Sequence, residues 1–427
     1  MAEKTTKLYQ ADVYMKEWDA RVIQTIPVGS DGSSIQVILD RTAFFPEGGG
    51  QSCDTGFMNG FPVVDVQEAG EAIVHTLTAD ATGDSGSDAS PDFLKIGDTV
   101  HCTLDWDRRF DNMQRHCGEH ILSGIFYARC GGVNRGFHMG ADYMTIDISL
   151  EEDPTDPDTP RPEAIDMDLA LECEARANQV VWSDAPVTVF RFDERDQVSG
   201  LPLRKALAFD EDISIVCVGS PENASDCVAC CGTHPASAGQ VGLIKIYKVE
   251  NYKGMFRIYF EAGARALSDY DRKHDLLSAL ANDHSSSIDD LPDVIRAQEN
   301  QIAELKNELH QLKASLIDRE CAALDSLLAD CSEPLLRYSL RDFSLDDVFT
   351  LAKRYMGKPG PLLLLYAPRQ TSYILVSGGE PKCGALVREY ASFYKGKGGG
   401  NDVSARSIFT SEEDALLFAD LLAKHLK

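Results

Sequence analysis

Basic side chains are scarce in this 427-residue chain: 41 Lys and Arg stand against 68 Asp and Glu, a formal net charge of −27. Polyanions are held by Lys and Arg, so this balance excludes broad electrostatic adhesion to nucleic acid and leaves only local basic islands. No run of about 18 apolar residues is present, which excludes a transmembrane helix and a membrane partner. No apolar stretch follows Met1–Lys7, so the N-terminus is not read as a signal peptide and the expected location is the cytoplasm. A disulfide frame is not expected either. In a large chain without export signals, the 12 cysteines read as buried thiols, reactive thiols or metal ligands.

What is present is ordinary for a soluble globular protein: 43% hydrophobic and 26% charged residues, enough chain for two or three domains. Cys53, Cys102, Cys117, Cys130, Cys173, Cys217, Cys321, Cys331 and Cys383 are isolated and read as small buried hydrophobes. Two basic islands interrupt the acidic background. Residues 353–408 hold nine basic side chains against three acidic ones, and residues 242–265 hold five against two. Either a polyanion is steered to these places or they are unevenly charged solvated surface.

Short apolar runs between Gly, Asp and Pro turns predict β structure over residues 8–80. Segments 81–92 and 151–163 read as polar loops. Phe110, Met113, Cys117, Ile121 and Ile125 recur at spacings of three and four, which predicts a helix over 107–129 with Asp107 as its cap. A second helix is expected at 164–180, and strands return over 184–260, including Leu243–Val249 and Met255–Phe260. Ile295, Ile302, Leu309 and Leu316 are seven apart, with Leu305 and Leu312 between them. This heptad stretch predicts either a helical hairpin with Tyr270–Ala281 or a coiled coil pairing two subunits. Beyond residue 333, strands at Leu362–Tyr366 and Tyr373–Val376 and helices at Ala385–Tyr394 and Ser411–Lys427 predict a small α/β domain. Between those helices lies a glycine-rich loop, Lys395 to Gly400.

Three motifs carry chemistry. His116 and His120 are four apart inside the predicted helix, so both imidazoles share a face and can reach one ion. Cys227, Cys230, Cys231 and His234 cluster within eight residues and supply the remaining thiolate and imidazole donors. The three cysteines compete; the Cys230–His234 spacing is preferred. Mixed nitrogen and sulfur donors favour zinc. Phe44 to Gln51 (FFPEGGGQ) brings three glycines that let backbone approach a ligand, and Gln51 can donate and accept hydrogen bonds. Its alternative is a glycine hairpin without a ligand.

Taken together and in order, these motifs resemble the editing domain of alanyl-tRNA synthetase and the free-standing AlaX proteins. The resemblance rests on Phe44–Gln51 followed by Asp54-Thr55-Gly56, on His116 and His120, on Gly136–Gly140 followed by Thr145-Ile146-Asp147, and on Cys230-Cys231-Gly232-Thr233-His234. In the last motif Cys231 replaces a glycine. The match covers about residues 8–265. The tail resembles the DHH-associated C-terminal domain of the synthetase, although Asn401-Asp402-Val403-Ser404 departs from the family continuation.

The resemblance implies an α+β protein in four parts. These are a β-rich, barrel-like subdomain (1–95), a zinc-bearing α+β editing core (96–267), a helical hairpin or coiled coil (268–320) and a small α/β C-terminal domain (321–427). It implies a trans-editing hydrolase that removes serine or glycine from mischarged tRNA(Ala) and does not aminoacylate. Zinc would be held by His116, His120, Cys230 and His234. Thr42, Gln51 and His138 are the catalytic candidates, with Thr42 and Gln51 selecting a serine hydroxyl. Gly48, Gly49, Gly50 and Arg257 would bind substrate, and Lys395, Lys397, Gly398 and Gly399 would contact tRNA. A homodimer through the hairpin or C-terminal domain is a further expectation. Two rivals stay open: a tRNA- or partner-binding protein with a structural zinc, and a zinc peptidase in which Glu119 of His116-x-x-Glu119-His120 is the base. Metal analysis of the purified protein is expected to return about one zinc per chain, as four ligands per ion require.

Overall fold

The computed structural model describes residues 4–28, 34–78, 94–150 and 161–426. The polar segment expected at 81–92 lies outside them, as do residues 151–160. The chain divides into two compact units, Met1–Ala279 and Leu280–Lys427, each mixing helices and sheets. Among the described residues no helix is long and apolar enough to cross a membrane.

Unit 1 opens with eight strands: β1 (Thr6–Lys7), β2 (Glu17–Val28), β3 (Ser34–Leu39), β4 (Arg41–Thr42), β5 (Gly56–Met58), β6 (Phe61–Ala69), β7 (Ala72–Thr78) and β8 (Thr99–Leu104). Six of them close into a barrel in the order β2-β3-β7-β6-β5-β8. Trp18, Ala20 and Val22 on β2 alternate with exposed residues, the period of two that points one side of a strand into a core. Helix α1 (Trp106–Cys130) follows. Its cap is Asp105, not the expected Asp107: the Asp105 carboxylate accepts from the Arg108 N–H. Gly131 ends it in the left-handed conformation.

Next come β9 (Val133–Met139), β10 (Met144–Ser149), α2 (Met167–Trp182), β11 (Val187–Glu194), β12 (Glu211–Val218), β13 (Asp226–Ala229), β14 (Ile244–Tyr252), β15 (Met255–Ala262) and α3 (Ala264–Asp283). The sheet β14-β15-β10-β9 and helix α2 bury α1 in a second core built on Ile121, Leu122, Phe126, Ile146 and Phe260. The apolar stripe explains only part of that burial. Arg109, Arg115, His116, Glu119 and His120 are buried as well, so α1 is covered on its polar side too.

Arg109 shows how that burial is made tolerable. Its Nε donates to Asp54, its Nη1 to the Val13 carbonyl and its Nη2 to the Ala43 carbonyl and Asp54. Asp54 in turn accepts from the Phe45 N–H. One ion pair therefore holds the Phe44–Gln51 segment against α1.

Unit 2 contains α4 (Leu291–Ala329), β16 (Leu335–Ser339), α5 (Leu345–Ala352), β17 (Leu362–Ala367), β18 (Ser372–Val376), α6 (Cys383–Tyr390), β19 (Lys397–Gly400), β20 (Ser404–Ile408) and α7 (Glu412–His425). Its sheet runs β16-β17-β18-β20-β19. The unbroken apolar run of β17 serves two cores: Leu362, Leu364 and Tyr366 face α6 and α7, while Leu363, Leu365 and Ala367 face α5 and the end of α4. One expectation changes here. The glycine segment is not a loop but an edge strand, β19, paired with β20, and a Cβ at Gly398 would fall 2.0 Å from the Arg406 carbonyl oxygen. The heptad segment is one continuous helix, and within unit 2 its stripe Ile302, Leu305, Leu309 and Leu312 is exposed.

Asp54→Ala leaves Arg109 buried without its counter-charge and is expected to cost about 3–5 kcal/mol of unit 1 stability. Urea unfolding followed by tryptophan fluorescence checks it, since all three tryptophans (Trp18, Trp106 and Trp182) lie in unit 1. A loss below about 1 kcal/mol would contradict the role assigned to this pair.

Candidate metal centre

Helix α1 presents His116 and His120 one turn apart, with ring centroids at 5.1 Å. The turn after β13 brings Cys230 and His234 to the same point. The four ligand atoms lie within 4.8 Å of one another. Cys230 Sγ sits 3.5 Å from His116 Nε2 and 3.4 Å from His234 Nε2. Gly232 permits this approach: a Cβ there would fall 2.3 Å from His116 Cε1.

Second partners orient the rings. His116 Nδ1 faces Gln51 Oε1 at 2.9 Å, and His120 Nδ1 faces Asp226 Oδ2 at 2.9 Å. An oxygen acceptor at Nδ1 keeps the proton there and turns the Nε2 lone pair toward the cluster. His120 Nε2 is buried and has no hydrogen-bond partner. A metal ion would satisfy that orphan, and the donor set of three imidazoles and one thiol fits one. Burial opposes ionisation of Cys230, but His116, His120 and His234 outweigh it and hold the thiol well below its ordinary pKa. Burial also opposes charging of His120; there Cys230 and Asp226 win and raise it. The thiolate is the state a cation requires, whereas the proton favoured on His120 is one that a bound cation would displace.

The competition among the cysteines is resolved by the fold. Cys227 lies opposite Cys217 on the β12–β13 pair and forms a disulfide with it, so neither is the free thiol expected. Cys231 is exposed, and Cys331 is only half-buried. Cys230 alone of the motif's cysteines joins the four-atom cluster.

The cluster forms part of the wall of a cavity of about 650 Å³. Glu119 reaches the same cavity; its Oε1 accepts from Ser123 Oγ and Asn134 Nδ2. Gly49 lines it too. Gly48 and Gln51 exchange both backbone hydrogen bonds, with Gly49 and Gly50 at positive φ between them, a tight turn of the kind glycine favours. Gly50 packs against Phe137.

The other expected site residues are placed elsewhere. Thr42 is fully buried; its Oγ1 bonds His75 Nε2 and accepts from the Phe44 N–H. Gln51 is also fully buried and is occupied by His116 and Thr233. Neither side chain is among those lining the cavity, so neither offers a serine hydroxyl a free partner in this structure. His138 is exposed on β9. Arg257 is paired with Asp147 and stacked on Tyr252. Lys395 follows α6, and Lys397, Gly398 and Gly399 belong to β19 of unit 2.

The basic island at 242–265 is largely neutralised. Lys245, Lys248, Arg257 and Arg265 pair with Glu174, Glu250, Asp147 and Asp111. Sequence reasoning missed Asp226 and Asn134 and gave Thr233, quoted within its motif, no role. The one available signal was the position of Asp226 and Thr233 beside ligand-type residues, which does not distinguish support from accident.

Comparison with known proteins now bears on this geometry. Residues 5–108 match the family model for class II (A) tRNA synthetases, and residues 213–259 match the second additional domain of threonyl and alanyl tRNA synthetases. These matches define the class: a protein built from domains shared with tRNA synthetases. Alanyl-tRNA editing protein AlaX-M of Methanosarcina acetivorans is 33% identical over 266 residues, 60% of this chain and 98% of that protein. AlaX-L of Pyrococcus horikoshii is 28% identical across 99% of both chains. The alanine–tRNA ligase of Pyrococcus abyssi is 28% identical over 93% of this chain, which spans 41% of the ligase. The chain belongs to the alanyl-tRNA editing protein AlaX family.

Asp226→Asn removes the acceptor that fixes His120 and is expected to weaken metal affinity about 10–100-fold. Competition against a calibrated chelator measures it; unchanged affinity would show that Asp226 serves Arg204 rather than the centre.

Proposed function

We propose that this chain hydrolyses the ester bond of tRNA(Ala) carrying the wrong amino acid, serine or glycine, in trans. The observation that carries the reading is the convergence of four metal-donor atoms, three of them from residues lining the wall (His116, His120 and Cys230), beside a cavity large enough for a terminal nucleotide and its amino acid. The family relation supplies the substrate class, since the relatives are named alanyl-tRNA editing proteins.

Zinc is the metal that the nitrogen and sulfur donors favour, and His116, His120, Cys230 and His234 would hold it. When bound it would supply a fixed positive charge that orients the ester or the terminal ribose. Four protein donors fill a tetrahedral shell, so the handling of water falls to neighbouring side chains. Glu119 is the group for this: Oε1 is fixed by Ser123 and Asn134, and Oε2 lies 4.0 Å from His120 Nε2 beside the donor cluster, where it is the oxygen that would accept a proton from water. Gln51 and Asp226 are positioning residues acting through His116 and His120. In unit 2, Lys395, Lys397, Gly398 and Gly399 are assigned to tRNA backbone contact, and the exposed α4 stripe to self-association.

Purified, zinc-loaded chain incubated with Ser-, Gly- and Ala-tRNA(Ala) is expected to release serine or glycine and to spare alanine. Cys230→Ala is expected to lose both metal and activity. Glu119→Gln is expected to keep the metal while kcat falls about 10²–10⁴-fold. Failure of the wild type to cleave any charged tRNA would favour a binding protein with a structural metal.

A further inference from the structure

The segment between β11 and β12 carries no motif, yet it forms a wall of the cavity. Arg204 anchors it. Its backbone N–H donates to the Cys227 carbonyl at 2.8 Å, and its guanidinium is paired with Asp226 at 2.6 Å. Beyond this anchor Lys205, Leu207 and Phe209 follow at two-residue spacing, which turns extended backbone side chains to one side. All three line the cavity.

Their chemistry is unspent. Among the described residues, Lys205 has no ion-pair or hydrogen-bond partner although it is half-buried. Arg135 on β9 lines the same cavity and is likewise unpaired. Burial and the neighbouring Arg204 push the Lys205 ammonium below its ordinary pKa, against the opposing pull of Glu119 and Asp226, with Arg135 adding to the lowering. Glu119, Glu211 and Asp212 line the same cavity, but among the described residues none forms an ion pair with Lys205 or Arg135, so an anion seated between the two cations gains from both. Phe209, 69% exposed, puts an aromatic face at the rim. The four basic residues paired on β14–β15 and α3 show what an occupied cation looks like in this unit; Lys205 and Arg135 differ from them.

We propose that Lys205 and Arg135 hold the last phosphodiester of a single-stranded RNA 3′ end, with its terminal base on Leu207 and Phe209. This rests on the deacylase reading for the identity of the RNA, and it deepens that reading by naming the nucleotide subsite. The ester-bearing ribose then reaches the wall built by Glu119 and the four-donor cluster. No covalent step is involved: Lys205, Arg135 and Phe209 are binding and positioning residues.

The test uses the zinc-loaded full chain and a fluorescent RNA hexanucleotide ending in CCA, titrated at several salt concentrations. Lys205→Met is expected to weaken binding about tenfold. It should also lower the slope of log affinity against log salt by roughly 0.7, the share of one phosphate on a single strand. Phe209→Ala is expected to weaken binding about tenfold with the slope unchanged. Lys205→Arg should restore the slope. In deacylation, the loss should fall on KM more than on kcat. Arg135→Gln, at an exposed position, gives the same slope readout if Lys205→Met does not fold, and metal content confirms the fold of each variant. Equal binding of the oligonucleotide lacking its last nucleotide, or an unchanged slope in both cation variants, overturns the proposal. If charged tRNA is cleaved while these changes do nothing, the subsite falls and the deacylase stands. If the RNA end binds as described but no charged tRNA is cleaved, the deacylase falls and the subsite stands.

Discussion

The Arg109–Asp54 ion pair is the constraint on which unit 1 is organised. It is fully buried, and it joins the segment leaving the barrel to the first turn of α1. Charges this deep persist only when their hydrogen-bonding capacity is used up. Val13, Ala43 and Asp54 use up that of Arg109, and the Phe45 N–H adds a further bond to Asp54. The register so fixed puts Gln51 against His116 and Thr233. Without that contact the Gly48–Gln51 turn would have no fixed relation to the histidines.

Helix α1 repeats the same principle along its length. Arg115 is matched by Glu261, His120 by Asp226, and Glu119 by Ser123 and Asn134. Glu261 on β15, Asn134 on β9 and Asp226 on β13 bring the four-stranded sheet and the β11–β13 sheet to one helix, and Asp54 brings the segment that leaves the barrel. What is left unmatched is informative by contrast. His120 Nε2 faces the donor cluster, and Lys205 and Arg135 face the cavity. Trp18 Nε1, Arg204 Nη1 and His234 Nδ1 are also buried without partners, so it is the position of His120 Nε2 beside three further donor atoms that points to an ion.

Much of this was legible in particular residues. The spacing of Phe110, Met113, Cys117, Ile121 and Ile125 predicted α1 to within a residue at each end. The four metal donors were readable because two ligand pairs, each at helical or tight-turn spacing, leave few other uses for those residue types. Other features were not legible because they depend on distance in space. The Cys217–Cys227 pairing needs the β12–β13 register, which spacing alone does not encode. The basic island at 242–265 looked like an anion surface until Glu174, Asp147 and Asp111 were placed beside it. The Lys395–Gly400 segment read as a loop because glycine usually breaks strands; here close packing on β20 requires it.

Sequence by itself therefore determined the donor set, the main helices, the buried strands of unit 2 and the family resemblance. Local periodicity and short spacings carry those, because they act within a few residues. Tertiary structure decided which cysteine joins the histidines, which basic residues remain free, and that Thr42 and Gln51 stand behind the cavity wall instead of in it. Those outcomes depend on which side chains from distant strands meet, and on the penalty for burying a polar atom without a partner.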